Sequence, residues 1–507
     1  MPLLLGLDIG TTSTIGILID TDGNTLALES RPATLISDQA NWAEEDTEEW
    51  WCNAGEICRA LLAAAKAAPR NIAAVGVTGM LPAVILIDEH GIALRHSIQQ
   101  NDARATAELD EFRCGMDEAE FLSRTGTGYS QQLVGPKLMW LGRHERALLE
   151  RAKGVLGASD YITHRLTGTR QVEHNWALES GLVDLASGVY DERLLGLAGI
   201  DRRLLPPIRK SHDVVGAITA AAARHTGLAA GTPVVAGCAD HVASAFVCGA
   251  VRNGDLVIKL GGAGDILLAS DKPVTDRRLF IDHHIVPGLW FPNGCMAASG
   301  SLLNWVVKHW AGGEAAAAHQ AGQSLHQWLD GRAATVPPES ELLFLPYVLG
   351  EKTPLMDPFA RGTLLGLGLH HGLAHVWRAA LEGVVFGFRH HIEVFAEAGL
   401  GVRQVFAADG GARSDLWLQI AADTFDRPVL RIDRHPGSSL GAAFVAGIGI
   451  GAIGEWSAIA RYVAPGRVFT PRPEAHRVLS AKYRLWRETY ERLRTLYPQL
   501  ATLTTRA

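Results

Sequence analysis

Short apolar runs alternate with turn-forming residues near the N-terminus, a pattern typical of β-strands joined by tight turns. Strands are predicted at Leu3–Ile9, Thr14–Asp20, Thr25–Ser30, Ile72–Val77 and Ala83–Asp88. A helix is predicted from Glu48 to Ala67, because Asp46 and Thr47 are good capping residues and Pro69 ends the run. This order predicts an α/β domain that begins with an antiparallel meander.

The second half of the chain repeats the same order of elements. Strands are predicted at Asp255–Leu260, Asp265–Ser270, Leu279–Ile285 and Trp290–Ala297, followed by a helix from about Ser299 to Trp310. Duplication of one domain would explain the repeat, and so would unrelated hairpins that both turn on glycine. We predict two packed α/β domains, residues 1–248 and residues 249–507, with the boundary near Cys248–Asn253.

The C-terminal part of the chain has apolar residues at helical spacing. Helices are predicted at Leu373–Ala398, between Gly411 and Phe425, at Ser439–Gly447 and at Glu474–Leu496, with strands at Val402–Ala408 and Val429–Ile432. Gly399 is a stop signal for the first of these helices. The helix at Ser439–Gly447 consists of small and apolar residues, which predicts close packing.

Composition and charge exclude several classes of protein. Among 507 residues, 47% are hydrophobic and 20% are charged, which is an ordinary globular mixture. The net charge of −7 gives no reason to expect a nucleic-acid partner. The most apolar long stretch, Pro233–Val251, is interrupted by Asp240 and His241, which a membrane span would not tolerate cheaply. With no CxxC pair among six cysteines and no signal-peptide pattern, we expect a cytoplasmic protein with no membrane partner.

Three loops combine an apolar strand, a glycine turn and small hydroxyl or acidic residues. They are Asp8-Ile9-Gly10-Thr11-Thr12-Ser13, Leu260-Gly261-Gly262-Ala263-Gly264-Asp265 and Asp409-Gly410-Gly411-Ala412-Arg413-Ser414. Glycine lets backbone N–H groups approach a phosphate closely. Asp8, at the end of a strand, could hold Mg²⁺ through water. Each loop alone would be explained by an ordinary turn, but two in matching positions predict a nucleotide in a cleft between the domains.

The motifs along nearly the whole chain resemble those of the FGGY carbohydrate kinases, in the actin, Hsp70 and sugar-kinase superfamily. Segments that carry the resemblance are Leu7–Ser13, Trp42–Asp46 followed by Trp50 and Trp51, Pro136–Leu141 at the first FGGY signature, Leu345–Pro354, and Gly362–Leu367 with Ala379–Glu382 at the second signature. The resemblance implies two ribonuclease-H-like domains of the actin-like ATPase type that flank an active-site cleft. It implies a sugar-binding N-terminal domain and a nucleotide-binding C-terminal domain.

The resemblance also implies a reaction, the ATP-dependent phosphorylation of a sugar hydroxyl with Mg²⁺. Xylulokinase-like members are the most similar, so the expected substrate is a ketopentose such as xylulose or ribulose. A polyol, glycerol or aldonate kinase of the same family stays open, and so does a nucleotide-gated binding protein of the Hsp70 or actin type. A homodimer is compatible with each of these alternatives.

Candidate nucleotide-binding residues follow from the loops and from the resemblance. They are Thr11, Thr12, Ser13, Gly261, Gly262, Gly300, Asn304, Gly410, Gly411 and Asp415. Asp8 is the candidate ligand for Mg²⁺. The resemblance places Gly300 and Asn304 in a segment near the nucleotide, and Gly410, Gly411 and Asp415 near the adenosine.

Asp240 is the candidate general base. It lies between an apolar strand and an apolar helical run, where a charge is costly unless it is functional or caps the helix. The two roles are compatible. The resemblance favours the base, because the family places its catalytic aspartate in a GGGDN-like segment here. This chain has His241 in place of the asparagine, and His241 is a candidate sugar ligand.

The sugar-binding candidates are Met80, Asn101, Asp102 and Arg104, together with His241. The segment Gln99–Arg104 is dense in hydrogen-bonding side chains, which sugars require, and it resembles the WNDxR segment of pentulose kinases. A surface turn followed by a helix cap is the alternative. Met80 matches a family segment that contacts sugar, but Leu81 replaces the histidine of that segment.

Overall fold

A computed structural model describes residues 2–434 and 436–504. The chain forms two compact units, and each consists of several segments. The first unit comprises Met1–Val251, Asp271–Phe291 and Pro436–Val463, and the second comprises Arg252–Ser270, Pro292–His435 and Ala464–Ala507. The chain therefore changes unit several times, whereas the sequence predicts a single boundary near Cys248–Asn253.

The first unit is built on a mixed sheet in which the central strand is Leu3–Ile9. The strand order is Val214–Ala217, Pro233–Val235, Ile72–Gly79, Leu3–Ile9, Ser13–Asp20 and Thr25–Pro32, and Cys238–Ala239 also pairs with Ile72–Gly79. The predicted meander is confirmed, because the last three strands of this order are antiparallel. Leu3–Ile9 and Ile72–Gly79 are parallel, so their carboxyl ends meet at one edge of the sheet.

The helix Ser438–Gly449 packs directly on the first unit's sheet, against Leu3–Ile9 and Ile72–Gly79. A Cβ atom at Gly6 would lie 2.0 Å from the carbonyl oxygen of Ser439, and one at Gly76 would lie 2.1 Å from that of Ala442. Glycines in the strands and small residues in the helix thus permit a close approach. The predicted close packing of this helix is confirmed.

The second unit repeats the strand order of the first. Its sheet contains, in order, Trp290–Met296, Gly264–Leu268, Asp255–Leu260, Gln404–Ala408, Val429–Arg434 and Ala464–Phe469, and Phe280–His283 pairs with Trp290–Met296 as an additional edge strand. As in the first unit, three antiparallel strands are followed by two parallel strands and an antiparallel edge strand. This shared order favours duplication over unrelated hairpins.

The remaining elements surround these sheets. Helices of the first unit span Thr47–Ala64, Thr106–Cys114, Glu118–Thr125, Val134–His144, Arg146–Arg151, Ala158–Thr167, His174–Glu179, Glu192–Ala198, Ala220–Thr226 and Asp240–Val247. Its short strands are Leu35–Ile36, Glu44–Glu45, Ile85–Ile87, Ser97–Ile98, Gly154–Leu156, Val172–Glu173, Val183–Asp184, Val189–Tyr190, Ile208–Arg209 and Phe280–His283. Helices of the second unit span Gly300–Trp310, Ala315–Gln320, Leu325–Ala333, Leu373–Glu397, Asp415–Phe425, Pro473–Leu493 and Tyr497–Thr504, and its short strands are Leu343–Leu345 and Thr363–Leu365.

The predicted elements agree with the structure in type and differ at their ends. The helix predicted from Glu48 to Ala67 begins at Thr47 and ends at Ala64, with Asp46 as its cap. The strand predicted at Leu279–Ile285 is present as Phe280–His283 at the edge of the second sheet, although its residues are grouped with the first unit. Across the described residues, every helix is too short or too polar to cross a bilayer.

Candidate active site

Three of the predicted residues, Asp8, Met80 and Asp240, lie at the edge of the first sheet where its parallel strands have their C-terminal ends. Asp8 pairs in register with Thr78, and Thr78 pairs with Cys238, two residues before Asp240. The backbone N–H of Met80 donates to the carbonyl of Ile9 at 3.1 Å. Three neighbouring strand ends therefore bring these side chains to one edge, where parallel sheets usually carry their sites.

Asp8 is a buried carboxylate at that edge. The hydroxyl of Ser438, the first residue of the helix Ser438–Gly449, donates to Asp8 Oδ2. This bond fixes the orientation of the Asp8 carboxyl group. The next residues form the predicted tight turn, in which the N–H of Gly10 donates to Ser13 O at 3.1 Å. Thr11 and Ser13 are half-buried and Thr12 is exposed, which suits hydroxyls that meet a ligand.

Asp240 is the first residue of the helix Asp240–Val247, and Ala239 occupies the capping position. The carboxylate of Asp240 is therefore not the helix cap. An acidic residue in the first turn is still stabilised by the helix dipole. Its side chain is 35% exposed, and Oδ1 accepts the backbone N–H of His241 at 2.6 Å. Asp240 is thus a fixed and accessible carboxylate, as a general base requires.

His241 lies in a network of three carboxyl groups. Its Nε2 lies 2.9 Å from Asp282 Oδ2 and 3.9 Å from Glu179 Oε1, and its Nδ1 lies 3.4 Å from Asp240 Oδ1. Burial alone would lower the pKa of His241, but Asp282, Asp240 and Glu179 hold it well above its usual range. The ring is therefore an imidazolium whose two nitrogens face carboxylates.

Glu179 and Asp282 were missed by the sequence reasoning. Asp282 lies on the strand Phe280–His283, which is joined to the helix His174–Glu179 by two bonds between Asn175 and the backbone of His283, at 2.7 and 3.0 Å. Burial and the neighbouring Asp282 raise the pKa of Glu179 well above its usual range. The available signal was an aspartate within an apolar strand, but its partner could not be read from the sequence.

Asp102 and Arg104 are used within the fold. Asp102 Oδ2 accepts the backbone N–H of Ala43 at 2.6 Å. The guanidinium of Arg104 pairs with Asp102 at 2.7 Å and Glu44 at 2.6 Å. It also stacks on Trp42, 3.7 Å from the ring centroid. These contacts support the loop that carries the exposed Asn101, and no described contact places this loop beside Asp240.

Lys137 is a further residue of this region that the sequence reasoning did not select. Its side chain is fully buried, and Nζ donates to the carbonyls of Gln99 at 2.7 Å and Gln100 at 3.4 Å. Burial lowers the pKa of Lys137 to about 7, although the nearby Asp102 acts in the opposite direction. Lys137 therefore fixes the backbone just before Asn101. A lysine in the middle of the apolar run Pro136–Leu141 was the available signal.

In the second unit, the loop at Gly261 and Gly262 is held by the start of the helix Gly300–Trp310. The N–H groups of Ser299 and Gly300 donate to the carbonyls of Gly262 and Gly261 at 2.9 and 2.8 Å. A Cβ atom at Gly300 would lie 2.7 Å from Gly261 O, so Gly300 permits this contact. A Cβ atom at Gly262 would meet nothing within 4 Å. Gly300 is therefore required for packing, whereas Gly262 leaves open space of the kind that a phosphate would fill.

The other nucleotide candidates of the second unit also differ in their surroundings. A Cβ atom at Gly410 would meet open space, but one at Gly411 would lie 2.8 Å from Leu260 O. Asp415 pairs with Arg431 at 2.7 Å and Arg467 at 2.9 Å. Asn304 is exposed, and its amide oxygen lies 3.0 Å from His326 Nε2. Gly410, Asn304 and Asp415 are the exposed members of this set, although the Asp415 carboxylate is already paired with two arginines.

Comparisons with known proteins agree with this arrangement. The models of the FGGY family of carbohydrate kinases match residues 3–247 with the N-terminal domain and residues 258–450 with the C-terminal domain. The crystal structure of xylulose kinase from Rhodospirillum rubrum is 46% identical, covers 98% of this chain and 99% of its own, and superposes with a TM-score of 0.92.

Curated relatives span the same length. Xylulose kinase of Bacillus subtilis (strain 168) is 28% identical over 98% of this chain and 98% of its own. Gluconokinase of the same organism is 28% identical over 92% of this chain and 91% of its own. The two family models match one after the other along the chain, and these relatives span nearly all of it. The chain accordingly belongs to the FGGY family of carbohydrate kinases.

Proposed function

We propose that the enzyme transfers the γ-phosphoryl group of ATP to a hydroxyl of a ketopentose, with xylulose as the expected substrate and ribulose as the next candidate. The observation that carries this proposal is the 46% identity, over almost the whole chain, with the xylulose kinase of Rhodospirillum rubrum. Because ATP is the phosphoryl donor, we also propose that the enzyme acts in the cytoplasm.

Asp240 is proposed as the general base of the transfer. Its carboxylate takes the proton of the sugar hydroxyl as the hydroxyl oxygen forms a bond to the γ-phosphorus. The bond between that phosphorus and the oxygen of the departing ADP breaks in the same transfer, and Asp240 then releases its proton to water. A positioned base contributes about 10²–10⁴-fold to such a reaction. The partial exposure of Asp240 supports this role.

Mg²⁺ fits the chemistry of Asp8, whose carboxylate oxygens are ligands that this ion prefers. The ion, when bound with ATP, would neutralise charge on the transferred phosphoryl group. Ser438 would keep the Asp8 carboxylate in one orientation. On the phosphate side, we propose that the backbone at Thr11–Ser13, Gly261–Gly262 and Gly410–Gly411 binds the nucleotide.

The charges around Asp240 support a neutral sugar over an aldonate. Asp240 and Asp282 are carboxylates, and His241 is the cation paired with them. A sugar acid would bring a further negative charge to this group, which costs free energy unless a new cation accompanies it. The similarity to gluconokinase of Bacillus subtilis keeps gluconate as the alternative to a ketopentose. Leu81 in place of a family histidine and His241 in place of an asparagine are departures from the family pattern.

A substrate panel tests the proposal. Release of ADP is measured with ATP, Mg²⁺ and, in turn, xylulose, ribulose, gluconate, glycerol and xylitol at a range of concentrations. The proposal predicts the highest kcat/KM for xylulose and a strong increase over the rate without sugar. A higher kcat/KM for gluconate or glycerol would contradict the substrate, and no sugar-dependent release with any acceptor would contradict the function.

A further inference from the structure

The immediate surroundings of His241 differ from those of a typical sugar ligand. A side chain that binds a sugar hydroxyl needs a donor or acceptor atom that is not already engaged. Here Nε2 lies 2.9 Å from Asp282 Oδ2, and Nδ1 faces Asp240 Oδ1 at 3.4 Å. Both nitrogens of the ring are directed at carboxylates of the protein. The role of sugar ligand, which the sequence suggested, therefore has no described donor atom left to perform it.

We propose that His241 is a positioning residue, which links Asp240 to Asp282 and Glu179 and leaves Asp240 Oδ2 as the oxygen that accepts the proton. This inference rests on the proposed role of Asp240 as base. The backbone N–H of His241 donates to Asp240 Oδ1 at 2.6 Å, and the ring Nδ1 of His241 lies 3.4 Å from the same oxygen. Two donors of His241 thus hold one oxygen of the Asp240 carboxylate. The other oxygen is left to face the acceptor hydroxyl.

Asp282 and Glu179, the two acidic residues that contact His241 from the side opposite Asp240, lie on two separate elements of the first unit. Asp282, with a side chain only 3% exposed, comes from the strand Phe280–His283, and Glu179 comes from the end of the helix His174–Glu179. Asn175 joins these two elements through both its amide oxygen and its amide nitrogen. A ring held from both sides in this way cannot turn without breaking an ion pair. The rotation of Asp240 is restricted in consequence.

The charges that face His241 come from three elements. Asp240 lies on its own helix, Asp282 on the strand and Glu179 on the other helix. The same three residues Glu179, His241 and Asp282 have the ligand types of a metal site, with ligand atoms within 4.8 Å of one another. We favour the imidazolium, because the 2.9 Å separation between Nε2 and Asp282 is that of a charge-assisted hydrogen bond.

A double-mutant cycle tests the inference. The variants are His241→Ala, Asp282→Asn and the double variant, with kcat and KM measured for the best sugar of the panel. We expect each single change to lower kcat by about 10²-fold, the usual cost of a misplaced catalytic group, while KM for the sugar changes less than about threefold. The double variant should be no worse than either single variant, because both break the same link. His90→Gln, at an exposed histidine paired with Glu89, is the control and should retain full kcat.

Different results would contradict the proposed function and the proposed role of His241. An inactive wild type would contradict the proposed function, whereas an active wild type with multiplicative losses in the double variant would contradict the link. A change in KM with kcat preserved would make His241 a sugar ligand. A stoichiometric Zn²⁺ in the purified protein that is lost in His241→Ala would make the cluster a metal site. If His241→Ala fails to fold, His241→Gln replaces it, and partial recovery of kcat by its one amide donor is expected.

Discussion

Neighbouring charged residues have different tasks in this protein because their partners come from different parts of the fold. Asp240 is partly exposed at the start of a helix, whereas His241 beside it faces Asp282 and Glu179. Asp102 and Arg104 are equally polar in the sequence, but the structure uses them to hold a loop. The type of a residue therefore predicts which interactions its side chain can make. Its burial and partners decide whether these interactions stabilise the fold or are open to a substrate.

Glu351 provides a test of how burial controls charge. Its Oε1 accepts the N–H groups of Ala297 and Lys352 at 2.7 and 2.8 Å, and burial raises its pKa to about 8. The native state thus keeps a proton that the unfolded chain loses at its ordinary pKa of 4.5. This contribution to the free energy of unfolding is fully present below pH 4.5. It is lost as the pH rises to about 8, at up to about 1.4 kcal/mol per pH unit.

We therefore predict a pH-dependent difference in Tm between the wild type and Glu351→Gln. The amide keeps the accepting oxygen but does not titrate. The Tm of the wild type relative to the variant should fall from pH 5 to pH 8 and remain constant above pH 8. Glu455→Gln, at an exposed glutamate, is the matched control, and a difference for Glu351→Gln that does not change with pH would contradict the raised pKa.

At the scale of elements, each candidate ligand loop is positioned by an element that lies far away in the sequence. The helix Gly300–Trp310 holds the carbonyls of Gly261 and Gly262. The helix Val134–His144 provides Lys137, which holds the backbone of Gln99 and Gln100. The loops are therefore fixed before a ligand binds, which reduces the entropy that binding costs.

Gly262→Val tests the phosphate loop. The new side chain would enter open space, so the fold should be retained, with Tm within a few degrees of the wild type. The same side chain would fill the space proposed for phosphate, and we expect the Kd of ATP to rise at least about tenfold while the Kd of xylulose is unchanged. Gly313→Val, where the space is equally open, is the matched control in calorimetry. Equal weakening of both ligands would show that the loop is only structural.

Lys137→Met tests whether the segment Gln99–Arg104 binds the sugar, as the sequence predicts. The methionine preserves most of the buried volume but removes the donor to Gln99 O and Gln100 O. We expect KM for the sugar to rise about tenfold, the equivalent of about 1.4 kcal/mol, while KM for ATP stays the same. Lys153→Met, at an exposed position, should leave both constants unchanged. An unchanged KM for the sugar in Lys137→Met would contradict the placement of Asn101 in the sugar site.

The sequence was sufficient for elements whose signal is local and insufficient for contacts between distant segments. The hairpins around Gly10 and Gly262 and the helix start at Asp46 follow from turn and capping residues within a few positions. The hydrogen bond from Ser438 to Asp8 joins residues more than four hundred positions apart, and the periodicity of apolar residues along the sequence does not predict it. Asp282 was likewise hidden, because its contact with His241 joins residues 41 positions apart in the sequence.

At the scale of the whole molecule, the two units share one strand order but are not contiguous in the sequence. The first unit includes Pro436–Val463, whose helix covers the strands Leu3–Ile9 and Ile72–Gly79. These strands are almost fully buried. Without that segment, the N-terminal part of the chain would expose a large apolar surface, which favours aggregation.

Fragments of the chain test this division. We predict that residues 1–248 alone are insoluble or lack a cooperative thermal transition. A single chain that joins residues 1–251, 271–291 and 436–463 through flexible linkers should be soluble and should melt cooperatively. Circular dichroism and sedimentation velocity distinguish the two cases. Cooperative folding of residues 1–248 by themselves would contradict the assignment of Pro436–Val463 to the first unit.

Sugar-dependent release of ADP by Asp240→Asn is the most direct measure of the proposed catalysis. The amide keeps the size of the side chain and its acceptor for the N–H of His241, but it cannot take a proton. At saturating ATP and xylulose, kcat should fall by about 10²–10⁴-fold relative to the wild type, with Tm and the Kd of xylulose unchanged. A variant that folds normally and retains near-normal kcat would contradict the assignment of Asp240 as the base.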